Sequence, residues 1–331
     1  MAFSTISGVA IRGIVSVLPE NVEDNMLLYG LTDKERSSLI EHTGIRFRRR
    51  VKFKNTPIKQ FFAQGIDRLL GNLQWEKSSV DLIIVVTQTA QTSIPSVSCE
   101  LHGDLDFSSH TMAYDINLGC SGFVYGLHAC GQTLSSLGKT KARAILCCGD
   151  LSSQITEEDD LTVRPIFSDG VSITAVELDC SDYEMAFNLE TFGKGQKAIH
   201  TEVTGNGNWM RLNGIDVFNY SVKYVPKNIF KLYEYADKQI PETDFVVLHQ
   251  ANQIINRSIL KSIGANPVSE VRTLYNYGNT ASASIPITLA NVSSESKKTV
   301  LLSGFGVGFS VATCLMEIEF PILTDSIFID L

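Results

Sequence analysis

Short apolar runs that lack polar alternation recur along the chain. They are Asp81-Leu-Ile-Ile-Val-Val86, Ala144-Ile-Leu-Cys-Cys-Gly149, the segment 170–178, Asp244-Phe-Val-Val-Leu-His249, Val300-Leu-Leu-Ser-Gly-Phe305 and the segment 308–318. A strand with one wet face alternates apolar and polar residues, whereas a strand covered on both faces reads as a continuous apolar run. Helical segments are predicted between these strands, over 56–71, 121–137, 222–235, 253–262 and 281–292. Strands and helices in this order predict a layered α/β fold.

The pattern occurs twice. Asp244 opens its run 163 positions after Asp81, and Val300 follows Ala144 by 156. An offset of about half the chain predicts a duplicated domain and excludes a solenoid of short repeats. The expected halves are 1–179 and 180–331. The segment 121–137 carries no charged residue, so its helix should be buried all round. Its counterpart, Ala281-Ser-Ala-Ser-Ile-Pro-Ile-Thr-Leu-Ala290, is equally small and uncharged. The two helices are expected to pack together at the centre, one from each half, with Gly122 and Gly126 permitting close approach.

Composition narrows the class. The chain has 331 residues, 44% of them apolar and 19% charged, enough for a large core. A net charge of −8 makes nucleic-acid binding a poor expectation. The seven cysteines, Cys99, Cys120, Cys130, Cys147, Cys148, Cys180 and Cys314, are odd in number and scattered, which fits a reducing compartment rather than a disulfide framework. Gly8, Arg12 and Gly13 interrupt the first apolar stretch, so no signal peptide is expected. The uncharged stretches 116–138 and 299–316 contain several glycines and read as buried core elements, not bilayer spans. The expectation is a cytoplasmic protein.

Three residues stand at element ends where chemistry could be placed. Cys120, in Asp115-Ile-Asn-Leu-Gly-Cys-Ser-Gly-Phe123, lies between a strand and the buried helix. A thiol at a helix N-terminus feels the positive end of the macrodipole, which favours thiolate, although most buried cysteines are only structural. His249 ends a strand in Leu248-His-Gln-Ala-Asn252, a position where α/β sites form or a hydrogen-bonded core histidine sits. Asn279 lies 159 positions after Cys120 and should open the paired helix, as a site residue or as an ordinary N-cap. Gly304-Phe-Gly-Val-Gly308 could lend a backbone N–H to an oxyanion, but Phe309 excludes a dinucleotide fingerprint. No metal site is expected: there is no Cys-x-x-Cys pair, and Cys147 and Cys148 should face opposite sides of a strand.

Cys, His and Asn in this order, on a duplicated α/β chain, resemble the β-ketoacyl-acyl-carrier-protein synthase III branch of the thiolase superfamily. The resemblance also includes Thr43-Gly-Ile-Arg-Phe-Arg-Arg49, Ser168-Asp-Gly170, the segment 210–218, His249-Gln-Ala-Asn252 and Tyr277-Gly-Asn-Thr-Ala-Ser-Ala-Ser-Ile-Pro286. It implies a thiolase-like duplicated αβαβα five-layered sandwich. It implies a nucleophilic Cys120 that takes an acyl group from a thioester, and His249 and Asn279 as hydrogen-bond donors to a decarboxylating malonyl thioester. It implies an oxyanion site on the backbone N–H groups of Cys120 and Gly306. It further implies no bound cofactor, acyl carrier protein as partner, and a homodimer that closes an acyl pocket near Ile94 and Pro95. The work would be fatty-acid or specialised acyl or polyketide biosynthesis. A thioester hydrolase or acyltransferase on the same fold, or a non-catalytic partner subunit, are the alternatives. A papain-like protease is excluded by the absence of its local cysteine motif.

The basic run Arg46, Arg48, Arg50, Lys52 and Lys54 should occupy one face of a strand. It reads first as a solvated edge that resists aggregation. The second reading, which includes Arg49 and Asn252, is a contact for an acidic carrier protein or for coenzyme A phosphates. Four positions depart from the family. Ser38 and His42 stand where it places an adenine-stacking Trp and an Arg, Ile254 where it places an Arg at the tunnel mouth, and Asn219 where a Lys or Arg often follows Phe218. These departures imply poor priming by acetyl-CoA and a carrier-bound or specialised acyl donor.

Overall fold

Two mixed β-sheets face each other across a layer of helices, and further helices cover both outer faces. The computed structural model describes residues 2–179, 182–205 and 207–331; Cys180 lies outside the described residues. In chain order the strands are β1 (Ala2–Ser7), β2 (Val9–Pro19), β3 (Val22–Asp24), β4 (Phe47–Arg49), β5 (Leu82–Val86), β6 (Met112–Ile116), β7 (Ala142–Asp150) and β8 (Gly170–Leu178). They continue as β9 (Glu184–Thr191), β10 (Ile199–Thr204), β11 (Gly207–Leu212), β12 (Phe245–Leu248), β13 (Lys298–Gly306), β14 (Ser310–Ile318) and β15 (Leu323–Ile329). The helices are α1 (Asp33–Thr43), α2 (Ile58–Leu73), α3 (Val97–Asp104), α4 (Gly122–Ser136), α5 (Gly214–Tyr235), α6 (Gln253–Ile263), α7 (Leu274–Tyr277) and α8 (Ser284–Leu289).

The first sheet has the order β15-β2-β8-β7-β5-β6 and the second β1-β9-β14-β13-β12. In the first, β5 runs parallel to β7 and β7 antiparallel to β8; in the second, β12 and β13 and then β13 and β14 repeat that relation. The counterpart of β6 shrinks to a single parallel bridge between Val246 and Glu270. The two halves exchange their ends. β1 joins the second sheet beside β9, and β15 joins the first beside β2.

Alternate residues of each buried strand serve different layers. Ile83, Val85, Ile145 and Cys147 pack outward with Phe61, Phe62 and Ile66 of α2. Leu82, Ile84, Val86, Leu146 and Cys148 pack inward with Phe123, Val124 and Leu127 of α4. The same inner core takes in Val300, Leu302, Ala312 and Cys314 of the second sheet, whose outer face holds Leu301, Phe305 and Leu315 against α5 and α6. The result is the five-layered αβαβα sandwich. Because α4 touches a sheet on either side, a charge on its first turns would be buried, and only Gln132, Ser135 and Ser136 near its end are exposed.

Three expectations change in detail. The helix predicted over 281–292 is a 3-10 turn at Ala281–Ala283 followed by α8. Helix α5 begins at Gly214, eight residues before the predicted 222, where the Asn213 side chain accepts from Asp216 N–H as an N-cap. The small face of α4 lies chiefly on the first sheet: a Cβ at Gly122 would stand 2.4 Å from Val86, and one at Gly126 2.6 Å from Leu146.

Only the end of the basic run is solvated: β4 covers Phe47–Arg49 alone, Lys52 and Lys54 beyond it are exposed, and the arginines are held in the fold. Arg48 is fully buried, with Nε donating to Asn25 Oδ1 at 2.9 Å and a guanidinium nitrogen to Glu23 at 2.8 Å. Arg50 bridges Glu23 and Glu158, and Arg46 pairs with Asp24. Arg49 donates to the carbonyls of Pro19 and Glu20 and lies over the Phe328 ring. Ser168 and Asp169 accept the backbone N–H groups of Arg49 and Val51, so that motif clamps the basic segment in place. Removing one partner of a buried ion pair is costly because the other is left without its counter-charge. Arg48→Ala should therefore lower unfolding stability by about 2–4 kcal/mol in urea. A loss within about 0.5 kcal/mol, as for a surface substitution, would contradict this packing.

Candidate active site

Three chain ends converge on one point between the sheets. Cys120 sits in the corner between β6 and α4 and is only 3% exposed. The end of β13 lies directly on its sulfur. A Cβ at Gly306, whose φ is 154°, would stand 3.0 Å from both Cβ and Sγ of Cys120. Any side chain at position 306 would displace the thiol, which explains glycine there. Ser121 Oγ meets Ser310 Oγ at 2.6 Å and ties the corner to β14 of the other half.

His249 leaves the end of β12 and is buried. Its backbone N–H donates to Ser303 at 2.8 Å, and its carbonyl accepts from Asn256 Nδ2 at 3.1 Å. The ring meets Phe305 edge-on at 5.4 Å. Nδ1 lies 2.7 Å from Ser284 Oγ, and Gln250 N–H approaches the same hydroxyl at 3.4 Å. When that hydroxyl gives its proton to Nδ1, the ring N–H sits on Nε2. Burial pushes the imidazole down to about 3, so the ring is neutral at physiological pH.

Asn279 is held by backbone bonds on both sides, N–H to Ile166 O at 3.0 Å and O from Ser168 N–H at 2.9 Å. Its Oδ1 accepts from Ala281 N–H at 2.9 Å, which turns Nδ2 toward His249, 3.5 Å from Nε2. With the ring N–H on Nε2 the two donors stand side by side; with it on Nδ1, Asn279 Nδ2 donates to Nε2. Cys120, His249, Asn279, Phe305 and Gly306 line one small cavity of about 80 Å³, which Asn252, Val217 and Ile255 border on the other side. Cys120 also borders a second cavity of about 390 Å³, with Gln88, Asn117, Asp150 and Val307 in its wall.

Of the remaining predicted positions, only Asn252 reaches this centre. Asn252 borders the small cavity and caps α6 by accepting from Ile255 N–H at 2.9 Å. Ile94 is 85% exposed beside Pro95. Arg46, Arg48 and Arg49 line neither cavity, and buried Arg48 cannot touch a carrier protein. Ser38 and His42 lie on α1, which Gln253 of α6 joins through a bond to Glu41 O at 3.0 Å. Ile254, 43% exposed, is on α6, and Asn219 is on α5. Among the described residues no cluster of three His, Cys, Asp or Glu could hold a metal ion. Sequence reasoning did not single out Ser284, Asn256 or Asp150. Ser284 was visible only as one of several small residues in its run, and Asp150 as an acid closing an apolar strand.

Residues 114–193 match the family described as 3-oxoacyl-[acyl-carrier-protein] synthase III, and residues 234–318 match its C-terminal domain. The chain is 28% identical to the β-ketoacyl-[acyl-carrier-protein] synthase III of Streptococcus uberis, covering 96% of this chain and 100% of that one. It is 29% identical to the Lactobacillus helveticus synthase III, covering 93% and 98%. A 3-oxoacyl-(acyl-carrier protein) synthase from Burkholderia xenovorans LB400 superposes with a TM-score of 0.92 at 24% identity, over 99% of both chains, and shares the fold. The chain is a β-ketoacyl-acyl-carrier-protein synthase III-like member of the thiolase superfamily.

In this synthase III-like chain the free thiol is not set as the helix dipole alone predicts. Burial, and then the charge of Asp150, push Cys120 up to about 12, while the N–H groups of Cys120 and Val307 aimed at the sulfur pull it down by less. Desolvation of the thiolate outweighs the helix terminus. Cys120 is consequently a thiol at neutral pH until a substrate reaches it. Its alkylation by iodoacetamide, followed by peptide mapping, should rise steadily between about pH 7 and 9, by up to tenfold per unit. A plateau already reached below about pH 7 would contradict this and restore the dipole as the dominant influence.

Proposed function

We propose that Cys120 carries the acyl group and that His249 and Asn279 drive decarboxylation of the extender. The chain is a condensing acyltransferase, and the observation that supports this assignment is the convergence of one thiol and two oriented N–H donors on a single buried cavity. In the first half-reaction Cys120 Sγ attacks the carbonyl of an acyl thioester. The carbon–sulfur bond of the donor breaks, and the departing thiol leaves with the proton that Cys120 gives up. No cofactor is needed for that exchange.

A malonyl thioester on acyl carrier protein then enters, its thioester carbonyl oxygen accepting from His249 Nε2 and Asn279 Nδ2. The bond to the carboxylate breaks, CO₂ leaves, and the electron pair becomes the enolate that these two donors stabilise. The enolate carbon attacks the acyl carbonyl on Cys120. The tetrahedral oxyanion sits on the backbone N–H groups of Cys120 and Gly306 and collapses with expulsion of the Cys120 thiolate, which takes up a proton from solvent to return to the resting thiol. A neutral imidazole suits this work, since it donates one hydrogen bond without a buried charge.

Assembly as a homodimer is supported by β6, which ends the first sheet with Met112 and Tyr114 exposed. An unpaired edge with apolar side chains favours a partner strand, and a second copy would bring its exposed Ile94 and its Pro95 to the acyl cavity. A cytoplasmic setting is supported by the six described cysteines, all unpaired, and no helix among the described residues is long and apolar enough to cross a membrane. A carrier-bound primer is supported by Ser38, Ile254 and Asn219, which offer neither a stacking ring nor a cation to coenzyme A, and by His42, which stands where the family places an Arg.

Cys120→Ala should abolish both half-reactions, and Cys120→Ser should be nearly as poor. His249→Ala and Asn279→Ala should still take up one acyl group by intact mass, yet release CO₂ from malonyl carrier protein about 10²–10³ times more slowly. Equal loss of acylation and decarboxylation would show instead that these residues activate Cys120, and free acid in place of a ketoester would make the protein a hydrolase. Acyl-carrier donors should load Cys120 faster than acetyl-CoA does; fast, saturable loading by micromolar acetyl-CoA would refute the inferred donor.

A further inference from the structure

The nitrogen of His249 that carries the ring proton decides whether the ring meets the small cavity with an N–H or with a lone pair. Because burial keeps the imidazole neutral, only one of the two nitrogens is protonated. Asn279 Nδ2, 3.5 Å from Nε2, draws the proton to Nδ1, since it could then donate to a bare Nε2. Ser284 opposes it from the other side of the ring. Its Oγ lies 2.7 Å from Nδ1, at the first residue of α8, and Ser284 and His249 are only 1% and 2% exposed. The one other hydrogen-bond partner of Oγ among the described residues is Gln250 N–H, at 3.4 Å, which cannot accept. The hydroxyl proton therefore has a single acceptor, Nδ1. With a proton already on Nδ1 the ring would donate to Oγ, and the hydroxyl proton would be sealed away unpaired. A 2.7 Å bond out of reach of solvent outweighs a 3.5 Å contact on the cavity side, where a substrate carbonyl can take up both donors.

We propose that Ser284 is a positioning residue for decarboxylation: its hydroxyl donates to His249 Nδ1 and so keeps the ring N–H on Nε2, aimed at the thioester carbonyl of the extender. This rests on His249 as a donor to that carbonyl. Ser284 lines neither cavity beside Cys120, and no covalent bond is made or broken at it. Without its hydroxyl, the contact with Asn279 draws the ring proton to Nδ1. A lone pair would then face the carbonyl oxygen on which the enolate charge gathers, and one of the two donors would be lost. The backbone does not depend on that hydroxyl. Ser284 O accepts from Thr288 Oγ1 at 2.7 Å, and Thr288 Oγ1 in turn meets Thr273 Oγ1 at 2.6 Å. Acyl transfer to Cys120 uses neither donor, so Ser284 bears on CO₂ release and not on loading.

The test compares wild type with Ser284→Ala and Ser284→Thr. In protein isotopically labelled at histidine nitrogen, the two-bond proton–nitrogen NMR spectrum shows which ring nitrogen lacks a proton, and the His249 signals are those lost in His249→Ala. Wild type should show a bare Nδ1, and Ser284→Ala a bare Nε2. Ser284→Ala should load Cys120 within about twofold of wild type, yet release CO₂ from malonyl carrier protein at least about tenfold more slowly, up to the roughly 10²–10³ of His249→Ala. Ser284→Thr keeps the hydroxyl and should recover most of that rate. A wild-type ring with its proton on Nδ1 overturns the proposal, and that measurement stands even if Ser284→Ala does not fold. CO₂ release by Ser284→Ala at the wild-type rate also overturns it, as does equal slowing of loading and CO₂ release, the mark of a merely structural residue. A Ser284→Thr ring with a bare Nδ1 but no recovery of CO₂ release overturns it too. Full CO₂ release by His249→Ala would refute the decarboxylation reading itself, an outcome distinct from any of these.

Discussion

The structure depends on the seam where the end of β13 lies against the start of α4. A Cβ at Gly304 would stand 2.8 Å from the Cys120 carbonyl oxygen and from Ser121 Cα, and Gly306 touches the Cys120 sulfur. These contacts bring a strand of the second half within van der Waals reach of a helix start from the first. Without them the thiol would face one half and the His249–Asn279 pair the other. Everything else in the fold serves that approach: strands with two buried faces, an uncharged middle layer, and terminal strands exchanged between the sheets.

A middle layer this apolar makes every polar group in it either paired or expensive. His249 is met by Ser284, and Asn279 by Ala281 N–H, so each donor has its second polar atom occupied and its N–H aimed into the cavity. The orientation of these two groups follows from hydrogen-bond satisfaction. The same low-polarity surroundings keep the Cys120 thiol protonated and the imidazole neutral, so the resting site holds no thiolate–imidazolium pair. Asp150 Oδ2 is one of several buried polar atoms among the described residues that have no hydrogen-bond partner.

What was legible in the sequence was what burial writes most plainly. Runs such as 82–86 and 300–305 are apolar because both faces are covered, and their repetition exposed the duplication and placed Cys120, His249 and Asn279 at corresponding ends. Two partly wet strands, β15 and β1, were not read. β15 alternates between half-buried and exposed positions, and β1 finds its partner nearly two hundred residues away. The basic segment was misread for a related reason. The acids that neutralise Arg48 and Arg50, Glu23 and Glu158, are remote in sequence, so nothing local distinguishes a buried ion-pair network from a solvated edge. The helix terminus suggested a lowered thiol pKa because position on a helix is visible in a sequence, whereas desolvation by a strand from the other half is not.

The most direct test of the shared site is a crystal structure of the protein after reaction with an acyl thioester. The account predicts continuous density from Cys120 Sγ, with the acyl chain running into the cavity walled by Asp150, Gln88 and Asn117. The space beside His249 Nε2 and Asn279 Nδ2 would stay open for the second substrate. Density on another cysteine, or an acyl chain lying against His249 and Asn279 instead, would contradict it.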